Sequence, residues 1–324
     1  MSGGAIPYHL RQNKAIDRNL FIDLLARIGR YRNISDYIYV GFGGPYLEDF
    51  RHLHSALRIS NMISVEKDEN VFERQKFNQP ISCVDLRQAE SGDFITSFDF
   101  SDNYIVWLDY TTPSETGKQL GELEALVSKL PEGSVFKITL NANPSTLGGP
   151  NDGSDLQEFR AGKAARLLGD YGPATVERDD VTARGYPKLL LSAVEAAAKR
   201  GVLGRHRSTV QPLTAFTYKD GQAMLTVAAI VLNHIDVAPF IAATRLNSWD
   251  FASLKWGGPV EISVPEMSFK ERMFIESLLP QNDAAAIRAK MSYHIGDDAA
   301  VASELLSNFV RYYRVYPWYS RVLV

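Results

Sequence analysis

From Tyr37 to Leu140 the chain alternates two periods: short apolar runs rich in β-branched and aromatic residues, then stretches whose apolar residues recur three and four apart. The runs are Tyr37-Ile38-Tyr39-Val40, Met62-Ile63-Ser64-Val65, residues 81–86, Tyr104-Ile105-Val106-Trp107-Leu108 and residues 135–140. Between them, Leu47, Phe50, Leu53 and Leu57 share one helical face, residues 70–77 read as helix, and Leu120, Leu123, Val127 and Leu130 share another. An amphipathic helix over residues 15–28, with Ile16, Leu20, Leu24, Leu25 and Ile28 on its apolar side, leads into the first run. Strands without polar alternation, separated by helices, predict a mainly parallel, doubly wound α/β sheet that is covered on both faces and takes its ligands at the carboxyl ends of its strands.

The pattern then changes. Residues 141–153 are rich in Gly, Pro and Asn and predict a loop, and helices follow over 156–168 and 187–200. Residues 213–218 and 223–232 are strand-like and flank Lys219-Asp220-Gly221-Gln222. Asp-Gly tolerates the positive φ of a tight turn, so this segment predicts a hairpin and completes a Rossmann-like, seven-stranded sheet ending antiparallel. Beyond it, Ser268-Phe269-Lys270-Glu271 reads as a capping box opening a helix to Leu279, and residues 297–313 read as a second helix. The expected organisation is a main domain over 1–237 and a mostly helical C-terminal accessory region over 238–324.

Composition narrows the function classes. Lys plus Arg number 35 against 38 for Asp plus Glu, a net charge of −3, so no global field draws in nucleic acid or anionic lipid, although a local basic patch is compatible with it. The longest apolar run, Ala223 to Leu232, is about half of what a membrane-spanning helix requires. The start, Met-Ser-Gly-Gly-Ala-Ile-Pro, lacks the basic region and apolar stretch of a secretory signal, and a cytoplasmic location is expected. The single cysteine, Cys83, excludes an internal disulfide and a cysteine-built zinc site. His52 and His54, two apart on a helix, point to different faces, and no metal is expected.

Chemistry gathers at the strand ends. Gly41-Phe42-Gly43-Gly44 follows the first run, Glu66 closes the second, Asp85 lies at the far end of the third and Asp109 closes the fourth. Glycines let a backbone approach a ligand without an intervening Cβ, and the helix after them offers free N–H groups; they also serve in ordinary tight turns. A dinucleotide is disfavoured. Glu48 and Asp49 in the first turn of that helix would repel a pyrophosphate, and the third glycine of G-x-G-x-x-G is missing.

Tyr39-Val40-Gly41-Phe42-Gly43-Gly44, then Glu66, then Asp109, then the late hairpin, resembles a class I S-adenosylmethionine-dependent methyltransferase, and more narrowly a group of bacterial O-methyltransferases. The resemblance covers residues 15–233. It implies S-adenosylmethionine as cofactor, lying against Gly41, Phe42, Gly43, Gly44, Glu66, Lys67, Asp85, Leu86, Asp109 and Tyr110, with Glu66 on the ribose hydroxyls and Asp85 reaching the adenine amine. The chain departs from the usual motif at two places: Tyr39 stands where an acidic residue is usual, and Pro45 replaces the last glycine.

Asp109 is the one catalytic candidate; it either orients the acceptor or the cofactor's amino group, or caps the next turn. Arg11 and Lys14 are candidates for an anionic substrate or members of a solvated helix face, and Asn141 opens the loop under which an acceptor would bind. Arg311-Tyr312-Tyr313-Arg314 and Tyr316-Pro317-Trp318-Tyr319 suit packing or self-association. Two functions therefore compete. One is methyl transfer from S-adenosylmethionine to oxygen or nitrogen of an unidentified acceptor. The other is a catalytically inactive methyltransferase fold that serves as a binding or scaffold component of a bacterial multi-protein system.

Overall fold

The structure, a computed structural model, describes residues 11–296 and 298–317. In chain order it contains α1 (Gln12–Ile28), β1 (Ile38–Gly41), α2 (Glu48–Leu57), β2 (Asn61–Glu66), α3 (Glu69–Asn78), β3 (Val84–Gln88), α4 (Ser91–Ser97), β4 (Tyr104–Asp109), α5 (Thr116–Lys129) and β5 (Val135–Asn141). Then come α6 (Leu156–Leu168), α7 (Gly185–Gly201), β6 (Ser208–Lys219), β7 (Ala223–Asn233), α8 (Val237–Thr244), β8 (Val260–Ile262), α9 (Phe269–Leu278), α10 (Ala284–Ala289) and α11 (Ala299–Tyr312). The sheet order is β3-β2-β1-β4-β5-β7-β6-β8. Pairs among β3, β2, β1, β4 and β5 are parallel, and β7 joins β5 antiparallel. This is the doubly wound, Rossmann-like sheet with a closing hairpin that the alternation implies, extended by an eighth strand. At three residues, β8 is too short to register as a period.

Two compact units make up the described chain. The first comprises Ile22–Thr217 and Gln222–Val260; the second comprises residues 11–21, Tyr218–Gly221 and residues 261–317 other than 297. The division runs through α1 and through the hairpin, whereas the expected boundary at 237 is a single point along the chain.

One hydrophobic core of the first unit lies on one face of the sheet. Val40, Val65, Val106, Leu108, Phe136, Ile138, Leu140 and Val227 meet Phe94 and Ile95 of α4, Leu120, Leu123 and Val127 of α5, and Leu190, Val194 and Ala197 of α7. Burying a Val, Leu, Ile or Phe side chain stabilises by about 1.5–3 kcal/mol, which is what holds these helices on the sheet.

In the second unit the hairpin tip does more than turn the chain. Asp220 accepts hydrogen bonds from the backbone N–H of Asn13 at 3.4 Å and of Lys14 at 2.7 Å, so its carboxylate caps the N-terminus of α1. The Asn13 side chain donates to Lys219 O and accepts from Val264 N. Ser268 and Glu271 form the expected capping box of α9. Asp298 caps α11; Asp297, expected to begin that helix, lies outside the described residues. Tyr312 and Tyr316 are buried in the unit's own packing, with the Arg272 guanidinium 4.5 Å from the Tyr316 ring centre, while Trp318 and Tyr319 lie outside the described residues. Among the described residues no helix is long and apolar enough to cross a membrane.

Candidate functional site

Strand register brings the candidate residues to one side. Gly41 pairs with Ser64 and with Trp107, Trp107 with Lys137, Asp109 with Thr139, and Thr139 with Thr226. Paired residues point to the same face and residues two apart along a strand do too. Gly41, Ser64, Glu66, Trp107, Asp109, Lys137, Thr139, Asn141 and Thr226 therefore share the face opposite the apolar core. The order reverses between β1 and β4, the switch point at which such sheets take ligands.

The glycine turn is built into its surroundings. Gly43 has φ +68°, and a Cβ there would lie 2.5 Å from Leu47 Cδ2 and 2.8 Å from Phe50 Cε2. A Cβ on Gly41 would lie 2.6 Å from the Tyr39 hydroxyl, whose ring packs edge-on to Phe50 at 4.9 Å. Tyr39 thus fills the space beside the turn with an aromatic ring where the usual motif has an acid. Gln75 of α3, fully buried, donates to the carbonyls of Phe42 at 3.0 Å and Gly44 at 2.9 Å and accepts from Ser64 Oγ. Asn78 donates to Pro45 O at 2.8 Å. Sequence reasoning missed both residues, because a polar side chain on a helix announces its partner only when the fold is known.

Glu66 ends β2 with 6% of its surface exposed. Its Oε1 accepts from Asp68 N at 2.9 Å. Burial pushes its carboxyl above the ordinary value, opposed by the backbone donors of Asp68 and Lys67. Lys67, next in the chain, is exposed, with its ammonium 3.7 Å from Glu90.

Asp85 and Leu86 do not lie at the end of β3. The strand runs Val84–Gln88, with Ile63 opposite Asp85, Ser64 opposite Leu86 and Glu66 opposite Gln88. Asp85 is thus near the start of an edge strand, exposed and paired with Arg87 at 2.8 Å. The apolar letters of residues 81–84 drew the expected strand too early. On an edge only Val84 needs burial, so composition marks the strand weakly. The residues at its carboxyl end are Gln88, Ala89 and Glu90, with Ala89 N donating to Glu66 O at 3.0 Å.

Beyond β4, Tyr110 turns toward the apolar face. Its ring lies 5.4 Å from that of Phe42, and its hydroxyl donates to Glu122 Oε2. Ser91, first residue of α4, donates to the same oxygen at 2.6 Å. Burial, with the Glu122 charge next in importance, pushes the Tyr110 phenol well above its ordinary value and keeps it a donor. Gly41, Phe42, Ser91 and Leu108 line a narrow apolar recess beside this cluster.

Asp109 is half-buried at the end of β4. Asn141, buried at the end of β5, accepts from Asn143 N at 3.0 Å, and Asn143 in turn caps the short helix Pro144–Leu147 within the expected loop. Arg11 and Lys14 belong to the second unit. Lys14, Asp17 and Arg18 are all buried, which excludes a solvated face at these positions of α1.

A family model described as "Putative O-methyltransferase" matches residues 6–324. The chain belongs to that family. None of the curated proteins matches its sequence. Among solved structures, the chain is similar to Trm1 from Pyrococcus horikoshii in complex with S-adenosyl-L-methionine, at 11% identity and TM-score 0.47, covering 68% of this chain and 55% of that one. It is similar to the N-methyltransferase NodS from Bradyrhizobium japonicum WM9, at 8% identity and TM-score 0.38, over 67% and 97% of the two chains. A third is an S-adenosylmethionine-dependent methyltransferase from Clostridium acetobutylicum ATCC 824, at 9% identity and TM-score 0.40, over 71% and 93%. The chain thus spans little more than half the length of Trm1, and its membership rests on the family match.

Proposed function

We propose that this member of the family transfers a methyl group from S-adenosylmethionine to an acceptor oxygen, holding the cofactor across the carboxyl ends of β1, β2 and β4. Glu66 carries the reading: it is a buried carboxylate at the end of β2, on the same sheet face as Gly41 and Asp109 and one strand from the switch point. A ribose diol would donate to its oxygens and stabilise the ionised form that burial disfavours. Gly43 and Gly44 offer backbone without a side chain in the way, and Glu48 and Asp49 in the first turn of α2 suit a cationic ligand better than a pyrophosphate. When bound, the cofactor supplies an activated methyl group on a sulfonium. The chain's part is alignment and exclusion of water, with Asp109 accepting a hydrogen bond from the acceptor's hydroxyl and Asn141 bordering the acceptor. The single cysteine accords with a reducing, cytoplasmic setting.

Calorimetric titration with S-adenosylmethionine, S-adenosylhomocysteine and NAD tests the proposal. Micromolar binding of the first two and none of NAD is expected. Binding of none would overturn it and favour a scaffold in a bacterial assembly. One observation points to that second reading: both glycines 41 and 43 are accounted for by the chain's own Tyr39, Leu47 and Phe50, without a ligand.

A further inference from the structure

Glu122 sits on α5, 8% exposed, inside the apolar side of the first unit. One of its oxygens takes hydrogen bonds from two hydroxyls, those of Tyr110 and Ser91. The other lies 3.7 Å from Lys118 Nζ, and a Cβ on Gly92 would stand only 3.1 Å from it, so the first turn of α4 passes directly beside the carboxylate. A buried carboxylate loses hydration that two hydrogen bonds only partly replace, and apolar side chains of similar size fill such positions at equal or better stability. Stability alone therefore gives no reason for Glu122.

What Glu122 does achieve is a fixed geometry. Through Tyr110 it holds the residue after β4, and through the Tyr110 ring on Phe42 it braces the turn after β1. Through Ser91 it holds the start of α4, directly after the end of β3. Phe42 and Ser91 line the recess at the switch point, and Tyr110 packs on Phe42. Lys118 also meets Glu90 at 3.6 Å, and Glu90 meets Lys67, extending the connection to the residue after Glu66; these outer pairs are exposed and contribute little by themselves.

We propose that Glu122 is a positioning residue for the cofactor, holding Tyr110 and the first turn of α4 in the geometry that receives it. This rests on the reading of the site given above. The effect falls on cofactor affinity, because Glu122 holds Ser91 directly and Phe42 through the Tyr110 ring, and both line the recess beside Gly41.

The test is titration of wild type, Glu122→Ala, Glu122→Gln and Tyr110→Phe with S-adenosylhomocysteine, with the unfolding temperature of each measured without ligand. Glu122→Ala is expected to weaken binding by about tenfold or more, and Tyr110→Phe by about threefold to tenfold, because the ligand must then order side chains that Glu122 holds in place in the wild type. Glu122→Gln keeps an acceptor oxygen and is expected to recover to within about threefold of wild type. Affinity unchanged in folded Glu122→Ala, with only the unfolding temperature lowered, would make the residue purely structural and overturn the proposal. Should Glu122→Ala not fold, Tyr110→Phe decides by the same criterion, since it removes one hydroxyl and leaves the ring. No binding by wild type would bring down the functional reading and this proposal together, whereas equal binding by wild type and all variants would bring down this proposal alone.

Discussion

On one face of β5, Phe136, Ile138 and Leu140 are fully buried; on the other, Lys137, Thr139 and Asn141 are buried as well, none above 6% exposure. The two faces are shielded from water alike and differ in chemistry. A sheet held only by burial gains most from apolar residues on both sides, as parallel strands usually show. Here the polar face is kept at the expense of desolvation and is compensated locally: the Trp107 indole donates to Thr139 Oγ1 at 3.0 Å, and the Lys137 ammonium lies 4.1 Å from the Trp107 ring centre. It is also the face that carries Gly41, Glu66 and Asp109. The side with the polar groups also buries Tyr39, Met62, Ile105 and Val135 near the strand starts, so its chemistry is concentrated at the strand ends, and substitutions there and in the apolar face should fail in different ways.

The largest loss of stability is expected on the apolar side. Ile138→Ala removes a fully buried side chain at the centre of the core and should lower unfolding stability by about 2–5 kcal/mol, measured by denaturant titration, while the folded fraction binds cofactor as wild type does. A fall in affinity of the folded fraction would show that the faces are not separable.

Glu66 should behave in the opposite way. Glu66→Ala is expected to weaken S-adenosylmethionine binding by about 1.5–3 kcal/mol. Stability responds differently because burial raises the folded-state carboxyl above its unfolded value. The folded protein then holds the proton more tightly, so Glu66 favours folding at low pH and this contribution is lost as pH rises through the window between the two values. At neutral pH Glu66→Gln should therefore be at least as stable as wild type while binding cofactor less well. The free carboxylate should also bind better as pH rises through the same window, a trend absent in Glu66→Gln. A Glu66→Gln variant that lost stability at neutral pH would place Glu66 among the structural residues.

Thr139→Val, on the polar face, keeps the shape and removes the acceptor of the Trp107 N–H. The buried donor left behind should lower stability by about 1–3 kcal/mol, with Thr139→Ser recovering most of it. Full stability in Thr139→Val would mean that the indole finds another acceptor.

This contrast was only half legible in the sequence. The apolar face announces itself through Val106, Leu108, Ile138 and Leu140, whose runs, with the β-branched Val106 and Ile138, mark strands, and the helices between the runs imply a parallel sheet. The polar face does not, because Lys137 and Thr139 inside an apolar run carry no mark of burial. Glu66 and Asp109 were readable because they close strands that are buried on both faces and therefore have sharp ends. Gln75, Ser91 and Glu122 were not, since each acts through a partner distant in sequence. The Asp220-Gly221 turn was legible as backbone, whereas its carboxylate on the N-terminus of α1 depends on a contact about two hundred residues away.

The smallest effect is expected at Asp85, and it tests the register of β3. If the strand ended near residue 86, Asp85 would reach a bound adenine and its loss would weaken the cofactor much as loss of Glu66 does. With Gln88 opposite Glu66, Asp85 instead lies three residues back along an exposed edge, and its ion pair with Arg87 is open to solvent on both sides. Such pairs are worth about 0–1 kcal/mol and are screened by salt. Asp85→Asn should therefore change unfolding stability by less than about 0.5 kcal/mol, with S-adenosylmethionine affinity equal to wild type by calorimetry. A tenfold loss of affinity would move the adenine contact from the Gln88 to Glu90 segment back to Asp85, because no exposed ion pair at the start of an edge strand could produce it.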